Sequence, residues 1–313
     1  LSNLTSLEVL ELESNSISDV APLVANTGLG SGDEVRVENN PLSATSINTH
    51  IPALQSRGVS VLYSRGSGGS GGGGSGGSTT NVAIPDASLR AVIADSLGKS
   101  SDAPITQAEM ASLTHLAARN KNIRDLTGLE LATNLTWLDL EGEGVDGVWV
   151  NSNEISNLLP LSNLTRLERL YLSGNSISDV APLSNLTNLE VLWLDINSIS
   201  DVTPLSNLTR LKGLELSGNS ISSVTPLSNL TGLRSLTLSG NSISNMSALS
   251  GLTSLEWLDL SYNSISNVAP LSNLTSLIEL DLAYNSISSV APLSNWSYPA
   301  SVEYLGLVFQ ACD

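Results

Sequence analysis

Basic residues are scarce in this 313-residue chain, which has 13 Lys and Arg against 30 Asp and Glu and a formal net charge of −17. Nucleic acids and anionic membranes need neutralising cations, so this balance argues against both as partners and favours a basic one. The single cysteine, Cys312, excludes an intramolecular disulfide. No apolar run approaches the about 18 residues that a membrane helix requires, and no signal peptide precedes Leu1. We therefore expect a soluble chain, without membrane insertion, whose export signal has been removed or never existed.

What the chain has in abundance is a 22-residue repeat. LTRLERLYLSGNSISDVAPLSN begins at Leu164, and LTNLEVLWLDINSISDVTPLSN begins at Leu186. An asparagine recurs every 22 positions, at Asn153, Asn175, Asn197, Asn219, Asn241, Asn263 and Asn285. The pattern L-x-x-L-x-L-x-x-N-x-I is a leucine-rich repeat, with one short strand and one aliphatic return arm per unit. No single unit can bury its aliphatic side chains, so we expect stacked units with one continuous core. The asparagine is predicted to hydrogen-bond the backbone of its own turn and the next.

The unit containing SISDVAPLSNLTNL resembles the internalin-type leucine-rich repeats of bacterial surface and secreted proteins. The resemblance covers essentially everything outside one Gly/Ser-rich segment. It implies an α/β fold: a curved, horseshoe-like leucine-rich repeat solenoid with a parallel β-sheet on its concave face and 3-10 or irregular turns on its convex side. It also implies a protein-recognition role in a bacterial protein that is secreted or displayed at the cell surface.

The residues on the two sides of the Gly/Ser segment are typical of caps. After it, IPDASLRAVIADSLGKS has helical apolar spacing up to Gly98, and TQAEMASL forms a capping box between Thr106 and Glu109. These two helices resemble the amino-terminal cap of internalin-like proteins. Before the segment, the repeat loosens into a last strand, a helix near Thr45–Arg57 and a closing strand at Val59–Tyr63. That arrangement is typical of a carboxy-terminal cap.

In chain order, the segment typical of a carboxy-terminal cap comes first. The Gly/Ser segment, called here the tether, follows it, and the segment typical of an amino-terminal cap comes third. The tether RGSGGSGGGGSGGST has no side chain able to build a core. One interpretation is a fusion of two unrelated proteins. The preferred one is a circular permutation with an engineered linker, because SVEYLGLVFQACD keeps the repeat register and LSNLTSLEVLEL resumes a return arm about four residues later. We divide the chain into carboxy-terminal repeats and cap (1–63), linker (64–80), helical amino-terminal cap with the first degenerate repeat (81–133) and central repeats (134–313), all parts of one solenoid.

The reach of the tether decides between a monomer and an exchanged oligomer. Its limit of about 60 Å exceeds the about 48 Å that eleven stacked turns would span. Closure within one chain is thus feasible but nearly taut, and the alternative is exchange of residues 1–63 between chains. We favour the monomer.

The outward positions of the predicted sheet hold most of the few aromatic residues, beside acidic ones. Aromatic side chains next to carboxylates are typical of protein-binding surfaces, and the acidity favours a basic protein or peptide as partner. The candidate partner-binding residues are Glu11, Trp137, Asp139, Tyr171, Trp193, Asp195, Glu215, Trp257, Asp259, Tyr262, Glu279, Asp281, Tyr284, Tyr304 and Phe309. The alternative is that these positions vary freely and that the aromatic residues there are chance.

One insertion interrupts the repeat at EGEGVDGVWVNSN, residues 141–153. Glu141, Glu143 and Asp146 could ligate Ca²⁺ through oxygen atoms. The spacing is not that of the twelve-residue calcium loop, so a solvated recognition loop is the preferred interpretation. We expect no cofactor and no metal.

Patterns for catalysis are also missing. Neither His50 nor His115 neighbours a plausible nucleophile, and no phosphate loop or zinc pattern occurs. Asp259 and Asp281 could mimic a glycosidase pair, but the repeat provides no deep pocket. The sequence therefore predicts a non-enzymatic recognition module. The alternative is an engineered scaffold for closure or domain-swapped assembly that retains no natural ligand.

Overall fold

The structure is a computed structural model. It describes residues 9–12, 17–26, 28–30, 33–37, 40, 42–43, 45–57, 59–62, 81–142, 144–145, 148–149, 153–293 and 304–306. The chain divides into two compact units, Leu1–Gly77 and Ser78–Asp313. Within the described residues, no helix has the length and apolar character needed to cross a membrane.

The first unit contains a three-stranded parallel sheet. Its strands pair in chain order: β1 (Val9–Glu11), β2 (Glu34–Arg36) and β3 (Ser60–Leu62). Its helical segments are α1 (Ala21–Val24), a π-helical turn (Ser46–His50) and α2 (Ile51–Ser56). Val35, Ile51 and Leu54 are fully buried in its core. A helix and a following strand thus occur where the sequence predicts them.

The second unit begins with two helices. α3 (Ala87–Ser96) starts at Asp86, whose Oδ1 accepts hydrogen bonds from two backbone N–H groups of the first turn. It ends before Gly98, whose φ of +66° is the left-handed conformation expected of a helix stop. α4 (Gln107–Ser112) has the predicted capping box, with Thr106 and Glu109 each bonding the other's backbone N–H. Both helical predictions are confirmed.

Nine parallel strands follow and pair side by side in chain order. They are β4 (His115–Ala117), β5 (Trp137–Asp139) and, after a short hairpin of β6 (Gly144–Val145) and β7 (Val148–Trp149), β8 (Arg169–Tyr171), β9 (Val191–Trp193), β10 (Gly213–Glu215), β11 (Ser235–Thr237), β12 (Trp257–Asp259), β13 (Glu279–Asp281) and β14 (Tyr304–Gly306). The central leucine of each strand pairs with the central leucine of the next, as Leu280 does with Leu305.

Short 3-10 turns form the return arms. They span Leu129–Leu131, Leu159–Leu161, Ala181–Leu183, Thr203–Asn207, Thr225–Asn229, Ser247–Gly251, Ala269–Asn273 and Ala291–Leu293. Leucine, isoleucine and valine side chains from strands and arms form one continuous core, which includes residues of both helices of the cap. This is the leucine-rich repeat solenoid that the 22-residue period predicts, since each turn buries its aliphatic side chains against its neighbours.

The repeated asparagine lies at the bend after each strand, with one correction to the prediction. Asn175 Oδ1 accepts from the N–H of Ile155 at 3.0 Å, and its Nδ2 donates to the carbonyls of Leu172 and Leu140 at 2.9 and 3.1 Å. Two of these three partners lie on the preceding turn. The prediction that the amide would reach the next turn is therefore wrong: the bend of the preceding turn is the one that presents both a carbonyl and an N–H group to it. The same pattern repeats through Asn285.

Candidate functional site

The candidate site is the side of the nine-stranded sheet that faces away from the leucine core, called here the sheet face. Because side chains alternate along a strand, the first and third residues of each strand point to this face when the central leucine points inward. The first residues form row A: His115, Trp137, Arg169, Val191, Gly213, Ser235, Trp257 and Glu279, and Tyr304 continues the register in the backbone of β14. The third residues form row B: Ala117, Asp139, Tyr171, Trp193, Glu215, Thr237, Asp259, Asp281 and Gly306.

Four rings on neighbouring strands contact one another and form what we call the aromatic ladder. The ring centroids of His115 and Trp137 lie 6.3 Å apart, those of Trp137 and Tyr171 5.8 Å, and those of Tyr171 and Trp193 4.8 Å in an edge-to-face arrangement. The three predicted members are half-buried, so each ring presents part of its surface to solvent. His115 is exposed and was not among the predicted site residues, although its strand register places it beside Trp137.

Next to the ladder, Arg119 links two buried carboxylates. Its Nε donates to Asp139 Oδ2 at 3.1 Å, and its Nη2 donates to Glu141 Oε2. Asp139 and Glu141 are only 7% and 4% exposed. Burial raises the pKa of Glu141, and the charge of Arg119 opposes that rise. Sequence reasoning missed Arg119 because it lies in the degenerate first turn; its position two residues after β4, matching Glu141 after β5, is the signal that could have found it.

Asp195 and Glu215 form a second pair of carboxyl groups beside Trp193. Asp195 Oδ1 accepts from the N–H of Ser217 at 2.7 Å, and Ser173 Oγ donates to Asp195 Oδ2 at 3.3 Å. Burial raises the pKa of Glu215 to about 8, and the neighbouring charge of Asp195 adds to the rise. Burial also raises the pKa of Asp195. Since like charges in one site oppose each other's ionisation, the pair holds a proton at neutral pH.

A depression lies further along the sheet face, at strands β11 to β13. It has a volume of about 290 Å³ and is lined by Ser235, Thr237, Trp257, Leu258, Asp259, Glu279 and Asp281. Trp257 is 43% exposed at its edge. Each aspartate accepts from the N–H two residues later, Asp259 from Ser261 at 2.9 Å and Asp281 from Ala283 at 2.8 Å. These bonds hold both carboxylates at the ends of their strands.

Tyr262 and Tyr284 lie three residues beyond β12 and β13, in the turn before the asparagine. Their rings stack with centroids 4.2 Å apart and planes 14° from parallel. The rings are exposed at 56% and 44%, and the backbone has positive φ angles of 51° and 55°. Both residues were predicted to occupy outward positions of the sheet, whereas they lie at the rim, beyond the ends of β12 and β13.

The predicted partner-binding residues divide into four groups. Tyr262 and Tyr284 lie at the rim beyond the strands. Rows A and B hold Trp137, Asp139, Tyr171, Trp193, Glu215, Trp257, Asp259, Glu279 and Asp281, and Asp195 lies two residues beyond β9. Glu11 ends β1 in the first unit and Tyr304 begins β14, where the structure describes the backbone only. Phe309 lies outside the described residues.

The calcium alternative stays an untested hypothesis beside the expectation of no metal. Of its three candidate ligands, Glu141 is buried against Arg119, and Glu143 and Asp146 lie outside the described residues. Among the residues that the structure describes, no group of three or more His, Cys, Asp or Glu side chains could hold a metal ion. The hairpin β6–β7 occupies the insertion, with Gly144 opposite Trp149.

Comparisons with known proteins agree with this architecture. A sequence profile described as "Leucine Rich repeats (2 copies)" matches residues 165–207 and 253–295, and one described as "Leucine rich repeat" matches residues 223–265. A search of curated protein sequences found no match to the chain.

Among solved structures, the chain is similar to internalin C2 from Listeria monocytogenes, with 35% identity, a TM-score of 0.62 and coverage of 68% of this chain and 90% of that one. It is also similar to an internalin (InlF) from the same organism, with 34% identity, a TM-score of 0.56 and coverage of 68% and 67%.

Proposed function

The chain belongs to the internalin-like leucine-rich repeat proteins, and we propose that it is a non-enzymatic recognition module that binds a basic protein or peptide on its sheet face. The leucine-rich repeat is a fold that serves protein interaction in general, and the proposal adds the surface and the chemistry of the partner. The observation that carries it is the aromatic ladder of His115, Trp137, Tyr171 and Trp193.

The repeat does not require rings at these positions. The same row A and row B positions on β10 and β11 hold Gly213, Ser235 and Thr237, and the leucine core beneath them is equally buried. Large aromatic side chains on a protein surface contribute most where a partner covers them. A contiguous strip of half-buried rings therefore supports a binding role over a structural one.

The charge around the ladder supports a basic partner. Asp195 and Glu215 border it on one side, and the whole chain has a net charge of −17. Because complementary charge guides association and excludes wrong partners, this face favours a segment rich in Lys or Arg. A neutral Glu215 would become ionised when such a side chain binds, so affinity should rise as the pH approaches and passes 8.

Selection from a displayed random-peptide library tests the proposal. We expect enriched peptides to be basic and to bind the variants Trp137→Ala and Trp193→Ala at least tenfold more weakly. Leu159→Ala is the matched control, since Leu159 is an exposed apolar residue on a return arm and not on the sheet face. Peptides that bind both tryptophan variants with unchanged Kd would contradict a site on this face.

We infer in addition that the segments are in permuted order, with residues 1–63 supplying the carboxy-terminal repeats and cap of the same repeat protein. The hydrogen bonds of Asn40 support this: its Oδ1 accepts from Ile17 N–H at 3.0 Å, and its Nδ2 donates to the carbonyls of Leu12 and Val37 at 2.6 and 3.1 Å. That is the arrangement of Asn175. The Gly/Ser composition of residues 64–80 further supports an engineered linker.

A rearranged chain tests the order. Residues 81–313, followed by a four-residue join and residues 1–62, should unfold in one cooperative transition without any Gly/Ser segment. Two separate transitions would contradict the permutation. Light scattering of the original chain then distinguishes the monomer that we propose from an exchanged oligomer, which would favour the second candidate function, a scaffold for assembly.

The family also supports an origin for the natural repeats. We propose that the parent protein is bacterial and is secreted or displayed at the cell surface, as the internalin-like relatives suggest. Export of the parent gene product, followed in cell fractions, is the measurement that checks it.

A further inference from the structure

We propose that the stacked pair Tyr262–Tyr284 and the adjoining depression at β11 to β13 bind an arginine side chain of the partner. This inference rests on the proposed function and deepens it by naming the group that is recognised and a second place on the surface. It concerns residues outside the aromatic ladder, so the two proposals can fail separately.

The backbone of the pair has an unfavourable conformation. Tyr262 and Tyr284 have left-handed φ angles, which side chains with a Cβ atom adopt rarely. The repeat offers its own comparison, because Gly174, Gly218 and Gly240 occupy the equivalent position with φ between 64° and 71°. Tyrosine is thus present twice where glycine is the easier choice, and unfavourable backbone conformations occur often at functional sites. Ile196 shares this conformation at the same position of another repeat, so the proposal is carried by the rings and the carboxylates.

The rings themselves are uncovered. The two ring centroids lie 4.2 Å apart, yet Tyr262 is 56% exposed and Tyr284 is 44% exposed. Trp257, on the sheet face, is 43% exposed. The ladder rings near Trp193 are half-buried instead. The pair therefore presents flat aromatic surface on which another planar group can stack.

The carboxylates nearby supply the negative charge. Asp259, Glu279 and Asp281 line the depression, and no Lys, Arg or His among the described residues forms an ion pair with any of them. A hydrogen bond to Tyr284 is the main cause of a raised pKa at Tyr262. The negative charge of Asp281 raises this pKa further, so Asp281 also acts on the tyrosine pair. Asp139 and Glu141, by contrast, are paired with Arg119 within the chain.

Arginine fits these two features better than the other candidates. Its guanidinium is planar, stacks on aromatic faces and donates in a fork that matches a carboxylate. Lysine is a compact, strongly hydrated charge with no face to stack. A sugar ring could stack on tyrosine and donate hydroxyl hydrogen bonds to the carboxylates, but it would leave their negative charge uncompensated. Charge complementarity thus selects an arginine-bearing segment.

The probe is the synthetic peptide acetyl-Gly-Ser-Arg-Gly-Ser-amide, titrated into the full chain and followed by NMR or tyrosine fluorescence. Its controls replace arginine by citrulline, which keeps the planar shape without charge, or by lysine. We expect saturable binding with a Kd near the millimolar range and at least tenfold weaker binding of citrulline. Cellohexaose is the carbohydrate arm of the same titration.

The variant Tyr262→Gly/Tyr284→Gly should lose binding at least tenfold, and the glycines are residues that the repeat already accepts at these positions. Asp281→Asn should weaken binding without removing the rings, and Leu159→Ala, on an exposed return arm, should leave it unchanged. No binding of the arginine peptide, equal binding of the citrulline peptide, undiminished binding to the double variant, or binding of cellohexaose alone overturns the inference. If library peptides still depend on Trp193 in that case, the proposed function stands without it.

Discussion

The two ends of the sheet face share a backbone and differ in what they do with aromatic and acidic side chains. At β4 to β9, rings contact rings in the aromatic ladder, and Arg119 lies between Asp139 and Glu141. At β12 and β13, Trp257, Tyr262 and Tyr284 are exposed, and the carboxylates have no ion-pair partner within the described chain. The first end thus pairs Asp139 and Glu141 with a cation of its own, whereas the second leaves its carboxylates to solvent or a partner.

The chemistry of the outward side chains therefore varies independently of the core. The residues that differ occupy outward or turn positions, and the leucines beneath both ends are buried alike. Four predictions test whether the two ends differ in this way.

The first prediction concerns the shared core. Leu192→Ala under the aromatic ladder and Leu258→Ala under the depression should each lower the free energy of unfolding by about 2–5 kcal/mol, because each removes a fully packed side chain. Chemical denaturation measures both. Since the two environments are equivalent, the losses should agree within about 1 kcal/mol; a larger gap would mean that the ends differ in their cores as well.

The second prediction concerns Arg119. Arg119→Ala leaves Asp139 and Glu141 buried without their cation and should cost about 2 kcal/mol, less than a fully buried pair because the arginine is half exposed. The loss should be larger at pH 8 than at pH 5, because burial raises the pKa of Glu141 and a protonated Glu141 no longer needs the cation. Asp281→Asn is the control at the other end and should cost nothing measurable. Equal losses in the two variants would remove the distinction between carboxylates paired within the chain and carboxylates without an ion-pair partner.

The third prediction concerns pH. Burial raises the folded-state pKa of Glu215 from 4.5 to about 8, so the folded protein binds more protons than the unfolded chain between these values. The contribution of Glu215 to stability is therefore complete below about pH 4.5 and is lost as the pH rises through 8.

Glu215→Gln should flatten this decline and exceed the parent at pH 8 by about 1 kcal/mol, a value well below the full shift because the side chain is partly exposed. Thermal unfolding from pH 5 to 9 measures it. The pKa of Glu109 is lowered to about 2, mainly by its hydrogen bond to Lys99. Glu109 therefore titrates below the pH range of this experiment and does not contribute to the decline. Parallel curves for the two proteins would show that Glu215 is not the titrating group.

The fourth prediction compares two left-handed positions. Ile196 has φ of 52° in a turn where Gly174, Gly218 and Gly240 stand in other repeats. Ile196→Gly should stabilise the fold by about 0.5 kcal/mol, since relief of roughly 1–2 kcal/mol is partly offset by the entropy of glycine. Tyr262→Gly should be close to neutral, because it also loses the stacked ring. A stabilisation by Tyr262→Gly equal to that of Ile196→Gly would mean that the stack contributes nothing in the free protein.

Much of the architecture follows from periodicity alone. A 22-residue spacing with leucines at fixed offsets leaves one way to bury the aliphatic side chains, and Asp86, Gly98 and the Thr106–Glu109 box mark the helices of the cap through local backbone chemistry. These signals lie within a few residues of what they determine, which is why the sequence suffices for them.

The candidate site was predictable in its position but not in its internal contacts. Trp137, Tyr171 and Trp193 could be assigned to the sheet face from strand alternation. Their mutual contacts, the role of Arg119 and the stacking of Tyr262 on Tyr284 depend on side chains one or more turns apart. Pairings across turns depend on rotamers and burial that no single repeat specifies. The prediction that the asparagine amides bond the next turn was wrong for the same reason.

The asparagine bonds give the stack a polarity. Each turn is completed by the amide of the turn that follows it, as Leu140 and Ile155 are by Asn175. If the stack were cut between two turns, the last turn of the amino-terminal fragment would have backbone N–H and C=O groups without hydrogen-bond partners. The first turn of the carboxy-terminal fragment would have an asparagine amide without those partners. Only a fragment whose first turn supplies such an asparagine can complete the hydrogen bonds of the amino-terminal fragment. Complementation between fragments of this protein should therefore be selective for that end of the added fragment.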